Sequence, residues 1–171
     1  MSQWRAYYLL AKPGIVYGNT ISVVAGMFAA TGQGSIPSCV ATMCGTALVM
    51  ASSCVVNNYY DRQIDRAMER TKDRPLATGA ISPSKAIIYA MILFLLGFGL
   101  LLTTTLLAAL LAALGWVLYA VVYTFLKHRT PYATLVGAIP GAIPPLVGYT
   151  ALTGQLDGRA LILFLTLLTW Q

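Results

Sequence analysis

Long apolar runs separated by short polar segments dominate the chain from Ile15 onward. Each run is about 17–20 residues long, the length an α-helix needs to cross a hydrocarbon core of about 30 Å. The pattern predicts helices over 15–31, 39–60, 86–104, 107–126 and 133–151, with a sixth beginning near Arg159 and still apolar at Gln171. The expected fold class is therefore all-α, a polytopic transmembrane helix bundle. Residues 1–171 are expected to form a single transmembrane domain that is C-terminally incomplete, since only about 12 residues follow Arg159 where a span needs about 20.

Composition agrees with this plan. Hydrophobic residues make up 58% of the 171 positions and charged residues only 9%, against roughly a quarter in soluble domains. The formal charge of +6 does not point to nucleic acid, because the basic residues sit where topology wants them. Arg5 and Lys12, then Arg62 through Lys85, then Lys127 and Arg129 all fall on one side of the predicted bundle. The opposite loops, Thr31–Ser38, Thr103–Leu106 and Thr150–Gly158, carry no Lys or Arg, although Arg159 borders the last. The positive-inside rule then places the N-terminus and the charged loops in the cytoplasm. The apolar run ending at Ala29-Ala30 is expected to be an uncleaved first span rather than a signal peptide, since its leading polar region is long and further spans follow. Trp4, Tyr7 and Tyr8 read as an interfacial aromatic belt. Cys39, Cys44 and Cys54 lack metal-ligand spacing and read as small buried hydrophobes.

Lys127-His128-Arg129-Thr130-Pro131 has room only for a tight connection between the fourth and fifth helices. The fifth carries Gly137, Pro140, Gly141, Pro144, Pro145 and Gly148. Each proline removes an amide donor, and broken backbone at membrane depth is tolerated where protein or a wet cavity satisfies it. Two readings stand: a kinked helix lining a cavity, or close packing through Gly137-x3-Gly141.

The chemistry concentrates in the segment from Asn57 to Leu76, which starts in a membrane helix and turns abruptly polar. If the helix continues, Asn57, Asp61, Asp65 and Glu69 recur every four residues on one face, beside a ridge of Arg62, Arg66, Arg70 and Arg74. Mg²⁺ takes oxygen ligands and is typically held by one or two carboxylates plus substrate phosphates, a demand that Asp61 and Asp65 meet and to which Asn57 adds a neutral oxygen. Guanidinium groups pair with phosphate oxygens. A diphosphate held between metal and arginine fits both ridges. The plainer alternative is a helix end decorated by local ion pairs, such as Asp65 with the Glu69–Arg70 region.

The Asn-x3-Asp-x3-Asp pattern at Asn57, Asp61 and Asp65 resembles the first aspartate-rich motif of the UbiA superfamily of intramembrane prenyltransferases. The longer string Asp61-Arg62-x2-Asp65-Arg66-x-Met68-x-Arg70-Thr71-x2-Arg74-Pro75-Leu76 is similar to its heme-farnesylating branch, the protoheme IX farnesyltransferases. So are Lys12-Pro13-Gly14 and Gly141-Ala142-x-Pro144-Pro145-x2-Gly148. The resemblance implies a bundle of nine spans, about six of them in this chain, with a second aspartate-rich motif after the sixth. It implies transfer of a farnesyl group from farnesyl diphosphate to a vinyl group of heme b, giving heme O, with Mg²⁺ as cofactor, in the inner membrane. It assigns Asn57, Asp61 and Asp65 to the metal–diphosphate role and Arg66, Arg70, Lys72 and Arg74 to the loop contacting diphosphate. Lys127 matches the basic position after the fourth span. Heme–copper oxidase assembly proteins enter as candidate partners on the same ground.

Other residues carry weaker expectations. His128 reads as solvated rather than as a ligand of heme iron. Trp116, Tyr119, Tyr123, Trp170 and Gln171 read as packing, with a cavity wall as the alternative. Competing functions are a related transferase acting on a quinone or chlorophyll precursor and, from another class, a transporter or structural membrane subunit.

Overall fold

The computed structural model describes residues 2–30 and 34–171, and its regular structure is helical throughout the described residues. In chain order these are α1 Gln3–Leu10, α2 Pro13–Ala29, α3 Ile36–Ala67, α4 Pro83–Leu102 and α5 Leu106–Val117, then a π-helical segment Leu118–Tyr123, α6 Thr124–Leu126, α7 Ala133–Thr153 and α8 Gly158–Trp170. The α5, π-helical and α6 pieces form one rod, Leu106–Leu126. That rod, α3, α4 and α7 are long and apolar enough to cross a membrane, whereas α2 and α8 are shorter apolar helices. The chain is thus a polytopic helical bundle. Residue 31, where the first predicted helix ends, and most of the opening of the predicted Thr31–Ser38 loop lie outside the described residues.

Local chemistry sets the starts. Ser35, Ser82 and Thr105 accept N-cap bonds from the amides of Ser38, Lys85 and Ala108, relieving amides that lack an intrahelical partner. Asp157 does the same for Arg159 and Ala160 at the head of α8. Prolines occupy the first turns of α2, α3 and α4, where a missing N–H costs nothing.

Two elements differ from expectation. The aromatic belt at Trp4, Tyr7 and Tyr8 is itself a helix, α1, with Ala6 and Leu10 buried and Trp4 88% exposed. The second predicted helix does not stop at residue 60: α3 runs 32 residues to Ala67 and ends where Met68 becomes extended. Asp61 and Asp65 therefore ride on a rigid helix, but Glu69, Arg70 and Arg74 lie beyond it. The four-residue arginine ridge does not form. The following segment instead folds back on α3, burying Leu76, Ala77 and Ile81, with Leu76 and Ile81 joining a core that includes Leu10, Val55 and Ala90.

Helix α7 runs uninterrupted through Pro140, Pro144 and Pro145, all three buried. Its close contact is with α2, and the glycines that permit it are Gly26 and Gly148. A Cβ at Gly148 would sit 2.0 Å from the Val23 carbonyl oxygen, and one at Gly26 would sit 2.0 Å from that of Pro145. Small residues let membrane helices approach backbone to backbone. The expected Gly137-x3-Gly141 packing pair is not that contact: Gly137 faces the Tyr123 ring and Gly141 the Gln171 side chain. A second such approach, Gly45 against Gly97, joins α3 to α4. Apolar residues of α4 such as Ile88, Ile92, Leu95 and Leu96 face outward, as a lipid-facing surface requires.

Candidate active site

At the charged end of the bundle, α3 presents Asn57, Asp61 and Asp65 inward, exposed by only 2%, 7% and 4%. Burying two carboxylates is costly unless they are paired, and each finds a cation from outside α3. Lys127, just past α6, donates to Asp61 Oδ2. Arg74 Nη1 reaches both oxygens of Asp65 at 2.9 Å and Asn58 Oδ1 at 3.5 Å. Lys12, at the α1–α2 joint, donates to Asn57 Oδ1. Asn57 Nδ2 in turn donates to Thr124 Oγ1 at 2.9 Å, and Asn58 Nδ2 to the Leu10 carbonyl at 2.8 Å. No buried side-chain nitrogen or oxygen lacks a partner among the described residues.

Lys12 reaches the cluster from a left-handed backbone, φ 52° and ψ 64°. It is the one non-glycine residue with positive φ among those described. Such strain clusters where structure over-determines a functional position. Its ammonium is pushed down to a pKa of about 8, chiefly by burial; Arg74 and Lys127 act in the same direction, while Cys54 and Asp61 oppose.

Of the residues expected from sequence, the fold brings together Asn57, Asp61, Asp65, Arg74 and Lys127. It leaves Arg66, Arg70 and Lys72 outside the buried cluster. Arg66 Nε donates to the Ala77 carbonyl at 2.9 Å, holding the folded-back loop; Arg70 is exposed; Lys72 pairs with Glu69. The alternative of local i,i+4 pairs is not what forms at Asp61 and Asp65, whose cations come from 66 and 9 positions away. His128, expected to be solvated, places Nε2 3.3 Å from Asp61 Oδ1 while staying 44% exposed. Lys12, His128 and Thr124 are the members that sequence reasoning gave no role. Lys12 stood in a recognised motif, but nothing in one dimension shows that its side chain turns inward.

The donor set suits a hard cation in part. Among the described residues no group of three or more His, Cys, Asp and Glu comes together. Two carboxylates and an amide oxygen are what Mg²⁺ takes when substrate phosphates complete its shell, so the residues present fit an ion that arrives with an anion.

Directly along α3, Ser53 and Cys54 line a cavity of about 580 Å³ that begins one turn before Asn57. Trp116, Tyr119, Tyr123, Trp170 and Gln171 all line it, so the wall reading replaces the packing one. The wall is held in shape: Trp116 Nε1 donates to Ser52 Oγ at 3.0 Å, and Ser52 donates to the Ala90 carbonyl at 2.8 Å. Gly14 and Gly18 of α2 and Gly137, Pro140 and Pro144 of α7 complete much of the remainder. Of the cysteines read as buried hydrophobes, only Cys54 is buried; Cys39 is half-buried and Cys44 exposed.

Comparison with known proteins follows the same lines. The UbiA prenyltransferase family model matches residues 19–171. A protoheme IX farnesyltransferase of Citrobacter koseri is 44% identical over 171 residues, covering 98% of this chain and 58% of the relative. One from Edwardsiella ictaluri is 48% identical over 170 residues, covering 98% and 57%. The chain thus spans somewhat over half the length of these curated relatives. Among solved structures, a digeranylgeranylglyceryl phosphate synthase superposes with a TM-score of 0.86 at 23% identity, covering 98% of this chain and 59% of that one. A UbiA homolog from Archaeoglobus fulgidus bound to GPP and Mg²⁺ gives 0.75 at 21% identity, covering 96% and 60%.

Proposed function

The chain belongs to the UbiA prenyltransferase family, and from that premise we propose that the protein transfers a farnesyl group from farnesyl diphosphate to a vinyl group of heme b, giving heme O. Residues 1–171 contribute one transmembrane prenyltransferase domain whose charged end faces the cytoplasm, in keeping with the basic loops gathered there. The observation that carries the reading is the convergence of Lys12, Arg74 and Lys127 on the buried face of Asn57, Asp61 and Asp65, one helical turn along α3 from Ser53 and Cys54 of a largely apolar cavity.

Three cations facing two carboxylates in a poorly hydrated site favour an incoming anion. Lys12, Arg74 and Lys127 would hold diphosphate oxygens, and Asp61, Asp65 and Asn57 Oδ1 would then be free to hold Mg²⁺. Mg²⁺ bound there supplies positive charge that stabilises the departing diphosphate. The allylic C–O bond breaks with its electron pair leaving on diphosphate, and the basic residues stabilise that charge as it develops. The cavity then does two things: it takes the apolar tail, and it keeps water from the allylic cation until the terminal carbon of the acceptor vinyl group attacks. The carbon beside the porphyrin is left cationic, and water adds there with loss of a proton to complete the hydroxyethylfarnesyl group of heme O. Faces of Trp116, Tyr119 and Tyr123 on the wall favour a passing cation. Names of the 44–48% identical relatives support heme as acceptor, and the GPP- and Mg²⁺-bound homolog supports the ion and the diphosphate.

The test is reconstitution of the full-length protein in proteoliposomes with farnesyl diphosphate, heme b and Mg²⁺, followed by mass spectrometry of the hemes. Heme O that disappears with chelator is the expected result. Prenylation of a quinone-type aromatic acid, with heme b left untouched, would reassign the acceptor.

A further inference from the structure

Thr124 is not part of the cavity lining and hydrogen-bonds neither carboxylate, yet it is buried between Tyr123 of the cavity wall and Asn57 of the charged cluster. Its hydroxyl donates its single proton to the Tyr119 carbonyl at 2.9 Å. The oxygen is left only to accept, and Asn57 Nδ2 donates to it at 2.9 Å. With Nδ2 committed to Thr124, Oδ1 has to face the opposite way, where Lys12 now meets it.

The hydroxyl's reach is unusual. In a regular helix a threonine bonds the carbonyl three or four residues back, whereas here it bonds the carbonyl five back. Leu118–Tyr123 is π-helical, and that wider turn carries the i−5 carbonyl beneath residue 124. Such turns recur at functional sites.

We propose that Thr124 is a positioning residue for the ion site, its hydroxyl fixing the orientation of the Asn57 amide so that Oδ1, and not Nδ2, is offered beside Asp61 and Asp65. The inference rests on the Mg²⁺–diphosphate reading above. The π-helical turn thereby acquires a second role, since the same turn that carries Tyr119 and Tyr123 on the cavity wall also sets the neutral ligand of the ion site.

The experiment uses the full-length protein in nanodiscs, Mn²⁺ as a spectroscopic probe read by electron paramagnetic resonance, and inorganic diphosphate. Thr124→Val removes the hydroxyl at similar volume and should weaken Mn²⁺ binding about three- to tenfold, the weight of one hydrogen bond. Thr124→Ser keeps the hydroxyl and should bind as the wild type does. A Val variant that melts and binds like the wild type overturns the proposal, as does a Ser variant as weak as Val. If Thr124→Val does not fold, Thr124→Ala takes its place as the variant without the hydroxyl: weakened Mn²⁺ binding beside wild-type affinity in the Ser variant supports the proposal, and an Ala variant binding like the wild type overturns it. Failure of the wild type to bind Mn²⁺ with diphosphate, or binding that is unchanged in Asp61→Ala, overturns the ion-site reading itself and this inference with it.

Discussion

Arg74 Nη1 lies 2.9 Å from both carboxylate oxygens of Asp65, nine positions before it, and 3.5 Å from Oδ1 of Asn58, sixteen positions before it. One guanidinium nitrogen serves all three contacts, so the rest of the fork remains for an anion. Arg74→Lys preserves a point charge near Asp65 but gives up that fork. It should reduce affinity for inorganic diphosphate about ten- to hundredfold, the weight of one hydrogen bond to a charged group, with little change in melting temperature. Isothermal calorimetry in detergent measures it, and an unchanged affinity would place the diphosphate elsewhere.

Asp61→Ala and Asp65→Ala each remove a proposed ligand and also strand a half-buried cation, Lys127 or Arg74 respectively. Heme O formation should fall by more than about a hundredfold in either. Divalent-ion dependence of diphosphate binding should vanish as well, which mere loosening of the fold would not produce. Near-normal turnover in both variants would remove these residues from the metal site.

Lys12 has a pKa of about 8 in the folded chain, against 10.5 when free, chiefly through burial. Below about pH 8 it is charged and available to an anion; as pH rises through 8 it loses that charge. Diphosphate binding by the wild type should therefore weaken across pH 8–9, while Lys12→Arg, charged throughout, should show a flatter profile. By the same linkage the buried ammonium costs stability below about pH 8, and the cost is relieved between 8 and 10.5. Parallel pH profiles for the two proteins would remove Lys12 from the anion site.

Gly148 and Gly18 contrast in what a side chain would meet, and substitution separates them. Gly148→Ala sets a Cβ 2.0 Å from the Val23 carbonyl oxygen, so α2 and α7 must part; overpacking of this sort costs about 1–3 kcal/mol or more, visible as a lowered melting temperature. Gly18 lines the cavity and would find nothing within 4 Å of a new Cβ. Gly18→Leu should fold normally yet discriminate against a farnesyl tail in favour of a dimethylallyl one. Equal use of the two tails by this variant would show that the cavity does not house the prenyl chain.

The bundle was legible in one dimension because hydrocarbon imposes it: apolar runs of spanning length have few ways to satisfy their backbone except as helices. Asn57, Asp61 and Asp65 were legible for a related reason, since spacing by four on a helix leaves little doubt that residues share a face. The partners of that face were not. Lys127 meets Asp61 across 66 positions and Lys12 meets Asn57 across 45, contacts that depend on how α2, α3 and the Leu106–Leu126 rod pack and on a left-handed turn at Lys12 that no local pattern announces. Arg66 and Arg74 share the same local charge and spacing, yet the chain's reversal after Met68 sends one to a carbonyl and the other to a carboxylate. Residue type and period along a helix are properties of the sequence alone, whereas which cation neutralises a buried acid is settled only when the helices close around it.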